Sequence, residues 1–151
     1  MPLGNLTSQF FANLYLTDFD QFVKHKLRIK YYIRYVDDFV ILHESKEELA
    51  IGGGAIESFL LKNLKIGLHK DKTKITSLSK GIDFVGFRNF YHFKLLRKRN
   101  IRNMQRKIKL FNEDIVNYSK FFEIFQGWSA YSKWADTYKL KLKLIKRISF
   151  N

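Results

Sequence analysis

Two adjacent aspartates interrupt the segment YYIRYVDDFVIL at residues 31–42, which is otherwise rich in aromatic and β-branched side chains. Two runs of this kind, joined by a short polar junction, are typical of a β-hairpin. Tight hairpin turns usually contain Asn-Gly or Asp-Gly, which supply positive φ angles, and neither dipeptide is present. Turn geometry alone therefore does not explain the choice of Asp37 and Asp38.

The acidic pair admits two interpretations. Neighbouring carboxylates repel one another unless a cation lies between them, and Mg²⁺ prefers oxygen ligands of this type. In two-metal nucleotidyl transfer, carboxylates hold two ions about 3.5–4 Å apart. The alternative is an exposed acidic turn that pairs with nearby Lys or Arg, and a bare Asp-Asp dipeptide favours this second interpretation. The sequence around the pair is therefore needed to distinguish these two interpretations.

The chain has 28 basic and 14 acidic side chains, a formal net charge of +14, and no cysteine. The charge favours a polyanionic partner, nucleic acid before a membrane surface, although a biased base composition of the gene would also enrich lysine. The lack of cysteine excludes disulfides and thiolate metal sites. No signal sequence or membrane span is recognisable, so we expect a cytoplasmic protein without a membrane partner.

Hydrophobic periodicity predicts an α+β fold. A helix is expected after Leu6, and Ser45 with Glu48 forms a capping box that predicts a second helix to about Asn63. The three glycines at residues 52–54 predict a break in that helix. Short strands are expected at residues 66–68, 74–77 and 82–93, followed by three helices with Trp128 and Trp134 in their core.

The charge changes character near Lys94. Residues 94–151 hold 15 of the basic but only 4 of the acidic side chains, whereas the preceding part is nearly neutral. We therefore predict two parts, residues 1–93 and residues 94–151. The four histidines are dispersed, and none is assigned a role.

Three further motifs accompany the Tyr-Val-Asp-Asp sequence. They are Gly-x-x-x-Ser-Gln from Gly4 to Gln9, LHKDKT at residues 68–73 and FVGF at residues 84–87. In this order and spacing they resemble the C-terminal motif series of reverse transcriptases, the RNA-directed DNA polymerases. The resemblance implies part of a polymerase palm, an antiparallel sheet with packed helices, over residues 1–93. An all-α thumb bundle would follow over residues 94–151.

The resemblance also implies roles for individual residues. Asp37 and Asp38 would bind Mg²⁺ as catalytic residues, and Gly4, Gln9, Tyr35 and Lys72 would contact the incoming nucleotide. Phe84, Gly86 and Phe87 would grip the primer. A basic helix face would contact nucleic-acid phosphates through Arg97, Lys98, Arg99, Arg102, Arg106, Lys107 and Lys109. The implied partners are an RNA template, a DNA primer and deoxynucleoside triphosphates.

The motif variants resemble one subfamily most. Ser8-Gln9, Gly127-Trp128 and the sequence ADTY at residues 135–138 are similar to diversity-generating retroelement enzymes, which also implies an accessory retroelement protein as a partner. Group II intron and retron enzymes usually have Pro-Gln-Gly and Ser-Pro instead, and they remain an alternative. Another alternative is a non-catalytic nucleic-acid-binding module whose acidic pair is only a turn.

The implied two-metal site is incomplete in this sequence. In reverse transcriptases a further aspartate, on a palm strand upstream of the position of Gly4, completes the site, and neither Asp18 nor Asp20 matches that motif. The resemblance therefore predicts the C-terminal palm and thumb of a longer polymerase. Such a fragment is expected to bind nucleic acid but to polymerise poorly or not at all by itself.

Overall fold

The computed structural model describes residues 6–149 of the 151-residue chain. It combines α-helices with small antiparallel sheets, which is an α+β arrangement as predicted. The chain forms two compact units that divide between Thr76 and Ser77. This division lies before the hairpin at residues 82–89, whereas the charge change is at Lys94. The assignment of residues 1–93 and 94–151 to palm and thumb stays a prediction.

The first unit contains helices around one two-stranded antiparallel sheet. Its elements are α1 (Leu6–Tyr15), α2 (Thr17–Gln21), a π-helical turn (Phe22–Lys26), β1 (Tyr31–Tyr35), β2 (Asp38–Leu42), α3 (Lys46–Phe59) and a second π-helical turn (Leu60–Leu64). One face of the sheet contributes Tyr32, Phe39 and Ile41 to a core whose fully buried members are Phe19, Val23, Ile56, Leu60 and Leu64.

Helix α3 differs from the prediction in its interior. It runs without interruption through Gly52, Gly53 and Gly54, so the expected break is wrong. Burial of Ile56 in the core of the unit fixes the helix, and this packing outweighs the low helix propensity of the glycines.

The start of α3 agrees with the predicted capping box in part. The Ser45 hydroxyl accepts a hydrogen bond from the Glu48 backbone N–H at 3.1 Å. The reciprocal bond from Glu48 is replaced, because the Ser45 backbone N–H donates to His43 Nδ1 at 3.1 Å. His43, which the sequence left without a role, therefore helps to begin the helix.

The second unit places a small sheet and three helices in one compact body. Its elements are a 3-10 turn (Leu78–Lys80), β3 (Ile82–Phe84), β4 (Phe87–Asn89), β5 (Lys94–Leu96), α4 (Lys98–Asn112), α5 (Tyr118–Ser132) and α6 (Tyr138–Ile145). The strands lie in the order β3-β4-β5 and are antiparallel. The helical core is formed by Met104, Ile108, Phe121 and Leu144, as the helical periodicity predicted for the first three.

Three local predictions are wrong. Residues 66–68 and 74–77 are irregular rather than strands, since no neighbouring strand pairs with them in the described residues. Trp134 is 69% exposed and lies in the turn after α5, outside the core. Trp128 does pack against the helical core, and its indole N–H donates to Asn100 Oδ1 at 2.6 Å. Within residues 6–149, no helix has both the length and the hydropathy needed to span a membrane.

Candidate metal-binding turn and nucleic-acid surface

The acidic pair lies at the tip of the β1–β2 hairpin. Tyr35 and Asp38 are directly opposed in the register, so Val36 and Asp37 form a two-residue turn. Val36 has a φ of 55°, in the left-handed region that β-branched residues rarely adopt. The missing Asn-Gly or Asp-Gly is thus replaced by a strained valine, and such strain is concentrated at functional sites.

Both carboxylates are available to an external ligand. Asp37 and Asp38 are exposed, and within residues 6–149 neither side chain takes part in an ion pair or a hydrogen bond. No lysine or arginine in the described part of the chain therefore pairs with either carboxylate. Tyr35, which is 60% exposed, lies on the sheet face that points away from the core of the unit.

A hydrogen-bond network supports the turn from the sheet face that packs against the core of the unit. Arg34 donates from Nε and Nη2 to the two carboxylate oxygens of Asp20, at 2.8 Å and 2.5 Å. Its Nη1 donates to the Val36 carbonyl oxygen at 2.7 Å. The same nitrogen donates to Asn13 Oδ1 at 3.0 Å, so one guanidinium connects α1, α2 and the turn.

The network shifts the pKa values of its members. The hydrogen bond from Arg34 is the main cause that lowers the pKa of Asp20, with a further contribution from the Tyr32 hydroxyl, which donates to Asp20 Oδ1 at 2.6 Å. Burial, followed by the hydrogen bond to Asp20, raises the pKa of Tyr32. The hydrogen bond to Asp20 also raises the pKa of Arg34. The charged forms of Arg34 and Asp20 are thus the stable ones at neutral pH.

The turn fits part of a divalent-metal site. Two exposed carboxylates without cationic partners are suitable oxygen ligands for Mg²⁺, which completes its coordination with water and phosphate oxygens. Among residues 6–149, no group of three or more Asp, Glu or His side chains lies together in a way that could hold a metal. The described residues therefore supply two carboxylate ligands and not a closed site.

The other residues that were predicted to contact the nucleotide are not brought into contact with the acidic pair. Gly4 lies outside the described residues. Gln9 is exposed on α1. Lys72 is exposed in a turn in which its backbone N–H donates to the His69 carbonyl oxygen at 3.0 Å, and it forms no ion pair with any described residue. No contact joins Gln9 or Lys72 to the acidic pair, so their nucleotide-binding roles stay predictions.

The FVGF motif forms a second strained hairpin. Phe84 opposes Phe87, and the two turn residues Val85 and Gly86 have φ angles of 47° and 81°. A Cβ atom on Gly86 would overlap the Tyr131 hydroxyl oxygen. The ring of Tyr131 also stacks on Phe87 with centroids 4.9 Å apart. Gly86 therefore permits the close approach of the Tyr131 side chain, which belongs to α5.

Helix α4 presents a cationic face. Met104 and Ile108 are buried, whereas Lys98, Arg99, Arg102 and Arg106 are exposed and form no ion pair with any described residue. Two further cations of the predicted set are paired: Arg97 lies 3.3 Å from Asp83, and Lys109 lies 3.5 Å from Glu113. Lys107 is only half-buried. The predicted set is thus divided into free and neutralised cations.

The sequence analysis assigned no role to Arg34, Asp20 or Tyr131. Each acts through a partner distant in the chain; Arg34 and Asp20 are separated by 14 residues. One feature of the sequence could have indicated Arg34. It is the only charged residue in β1, and it lies two positions before Val36.

Comparison with known families agrees with these observations. No curated protein matches the chain significantly. The sequence model of the family described as reverse transcriptase (RNA-dependent DNA polymerase) matches residues 1–89, which include both strained hairpins and the acidic pair. This match covers more than half of the 151 residues, so the chain belongs to the reverse transcriptase family.

Proposed function

We propose that this chain provides the C-terminal palm and the thumb of an RNA-directed DNA polymerase that uses two-metal nucleotidyl transfer. The observation that carries the proposal is the acidic pair: two exposed carboxylates that form no ion pair with any described residue, at a strained turn in a reverse transcriptase domain. Asp37 and Asp38 are the residues that hold the ion. A bound Mg²⁺ supplies positive charge that stabilises the attacking hydroxyl and the departing phosphates.

The other residues act by position and charge. Lys72 is an exposed cation suited to the triphosphate of the incoming nucleotide, and Tyr35 offers an exposed ring beside the acidic pair. The hairpin with Phe84, Gly86 and Phe87 supports the primer strand. Exposed arginines on α4 contact phosphates of the template–primer duplex, and such contacts recognise its shape and charge rather than its sequence.

The subfamily proposal is a diversity-generating retroelement enzyme, with an accessory retroelement protein as a partner. It is supported by the Ser8-Gln9 pair and by the Gly127-Trp128 and Ala135–Tyr138 motifs of the sequence. A group II intron or retron enzyme is the alternative within the family.

A second candidate is a non-catalytic nucleic-acid-binding module whose acidic pair is only a turn. The observation that favours it is that both aspartates are exposed at a hairpin turn, a position at which aspartate is common because of its backbone preferences alone. Both candidates predict duplex binding that weakens with salt, so this property does not distinguish them. Divalent-ion binding at the turn distinguishes the two candidates.

Calorimetric titration with Mn²⁺, a substitute for Mg²⁺, tests the proposal. We expect the wild-type chain to bind Mn²⁺ and the Asp37→Asn/Asp38→Asn variant to lose that binding. A matched control is Glu47→Gln/Glu48→Gln, which removes two neighbouring exposed carboxylates from α3 and is expected to retain Mn²⁺ binding. Equal Mn²⁺ affinity in all three proteins would favour the non-catalytic module.

A further inference from the structure

The guanidinium of Arg34 connects two helices to the backbone of the metal-binding turn. Three of its nitrogens make four hydrogen bonds, to both carboxylate oxygens of Asp20, to Asn13 Oδ1 and to the Val36 carbonyl oxygen. The Arg34 side chain is only 11% exposed, so solvent competes weakly for these bonds.

Asp20 fixes the plane of the guanidinium. A bidentate arginine–carboxylate pair has a defined orientation, since two parallel N–H donors meet two oxygens. The carboxylate is itself oriented by the Tyr32 hydroxyl, which donates to Oδ1 at 2.6 Å. With Nε and Nη2 committed to Asp20, the direction of Nη1 is determined, and Nη1 lies 2.7 Å from the Val36 carbonyl oxygen.

The Val36 carbonyl belongs to the peptide unit that leads into Asp37. Holding this carbonyl fixes the orientation of the Val36–Asp37 peptide within a turn whose first residue has a φ of 55°. A valine without such support would favour a negative φ, and the turn would rearrange. The direction in which the Asp37 carboxylate leaves the hairpin depends on that peptide.

We propose that Arg34 is a positioning residue, oriented by Asp20, that holds the Val36–Asp37 turn in the conformation in which Asp37 and Asp38 bind a divalent ion. This inference rests on the proposed function, because it concerns the same metal-binding pair. Arg34 touches neither the ion nor the nucleotide. Its effect is transmitted through one backbone carbonyl group.

The test compares Arg34→Gln, Arg34→Lys and Asp20→Asn with the control Arg28→Gln. Arg28 is exposed in the same unit, so the control removes the same type of charge without contacting the turn. Mn²⁺ affinity is measured by calorimetry on each folded protein. The three-bond amide–Hα coupling of Val36 is measured by NMR, because it reports φ directly, and urea unfolding gives the stability of each variant.

We expect Arg34→Gln to weaken Mn²⁺ binding about tenfold or more, as loss of groups that orient metal ligands commonly does. The Val36 coupling should change with it. Lysine keeps the charge but cannot hold Asp20 and Val36 together, so Arg34→Lys should restore only part of the affinity. Asp20→Asn should show a smaller loss, and Arg28→Gln none. A role confined to stability would lower the unfolding free energy of Arg34→Gln while leaving Mn²⁺ affinity and the coupling unchanged.

The failures of the two proposals are distinguishable. If the wild-type chain binds Mn²⁺ and Arg34→Gln matches Arg28→Gln in affinity and coupling, the role of Arg34 is overturned and the proposed function stands. If the wild-type chain does not bind Mn²⁺ at the turn, both are overturned. Should Arg34→Gln not fold, Asp20→Asn with unchanged affinity and coupling overturns the inference by itself.

Discussion

Val36 holds a conformation that is unfavourable for its side chain, with a φ of 55°. A β-branched residue in the left-handed region costs about 1–3 kcal/mol. A hydrogen bond from a charged donor contributes about 1.5–3 kcal/mol, and the 2.7 Å bond from Arg34 to the Val36 carbonyl is of this type. The two magnitudes are comparable, so the hydrogen bond from Arg34 can offset the strain at Val36.

The first residue-scale prediction concerns pH. Because Arg34 lowers the pKa of Asp20 in the folded chain, the carboxylate contributes stability above its ordinary pKa of 3.8 and loses it as the pH falls through the lowered value. At pH 7, Asp20→Asn should reduce the unfolding free energy by about 1–2 kcal/mol. The difference should stay constant down to about pH 5 and shrink below it, in urea unfolding followed by circular dichroism.

Asp83→Asn is the matched control for this measurement. Asp83 also pairs with an arginine, Arg97, but both side chains are about half exposed, at 47% and 49%. Its substitution should cost less than about 1 kcal/mol at any pH. A destabilisation by Asp20→Asn that persisted unchanged to pH 3 would show that the charge of Asp20 is not its source.

The second residue-scale prediction concerns Gly86. Alanine there would be strained by the φ of 81°, at about 1–2 kcal/mol, and its Cβ would overlap the Tyr131 hydroxyl. Overpacking adds about 1–3 kcal/mol. In the Tyr131→Phe background the hydroxyl is absent, so the penalty of Gly86→Ala should fall to the strain alone. Equal penalties in both backgrounds, measured by chemical denaturation, would exclude the contact with Tyr131.

At the scale of elements, the sequence predicted what depends on local pattern. The two runs of aromatic and β-branched residues indicated the β1–β2 hairpin, and the three-to-four residue spacing of Met104 and Ile108 indicated the buried face of α4. The prediction for α3 was wrong. The low helix propensity of its glycines predicted a break, but tertiary packing of Ile56 keeps the helix continuous. The Arg34–Asp20 network was not predictable for the same reason, since only the folded unit brings its partners together.

The glycines of α3 give the element-scale prediction. A Cβ at Gly53 or Gly54 would meet no atom within 4 Å, so alanine fits both positions. Alanine restricts the unfolded chain and has the higher helix propensity, so Gly53→Ala/Gly54→Ala should raise the unfolding free energy by about 1 kcal/mol per residue. Ala50→Gly, at an exposed position of α3, should lower it by about the same amount. Destabilisation by the alanine pair would instead support a break in the helix.

At the scale of the whole molecule, charge and chemistry are divided between two parts of the chain. The acidic pair belongs to the first unit, whereas the free arginines of α4 belong to the second. The family match reaches residue 89 and so includes the β3–β4 hairpin of the second unit, while α4 to α6 lie beyond it. The nucleic-acid role proposed for the helical unit therefore rests on its charge and needs its own test.

That test is the salt dependence of binding to an RNA–DNA hybrid duplex. Arg99→Gln/Arg102→Gln/Arg106→Gln should weaken binding and reduce the slope of log affinity against log salt by about 3, one for each phosphate that is no longer neutralised. Lys26→Gln/Lys46→Gln/Lys62→Gln removes the same charge from exposed positions of the first unit and should change the slope less. An equal change in both variants, measured by fluorescence anisotropy, would indicate a general effect of net charge.

The most direct test of the central claim maps Mn²⁺ onto the chain by NMR. Paramagnetic broadening decays steeply with distance from the ion, so a bound Mn²⁺ should remove the amide signals of residues 35–39 first. In Asp37→Asn/Asp38→Asn those signals should persist at the same Mn²⁺ concentration. Broadening that is centred elsewhere, or that is unaffected by replacing the two aspartates, would contradict the assignment of this turn as a metal-binding site.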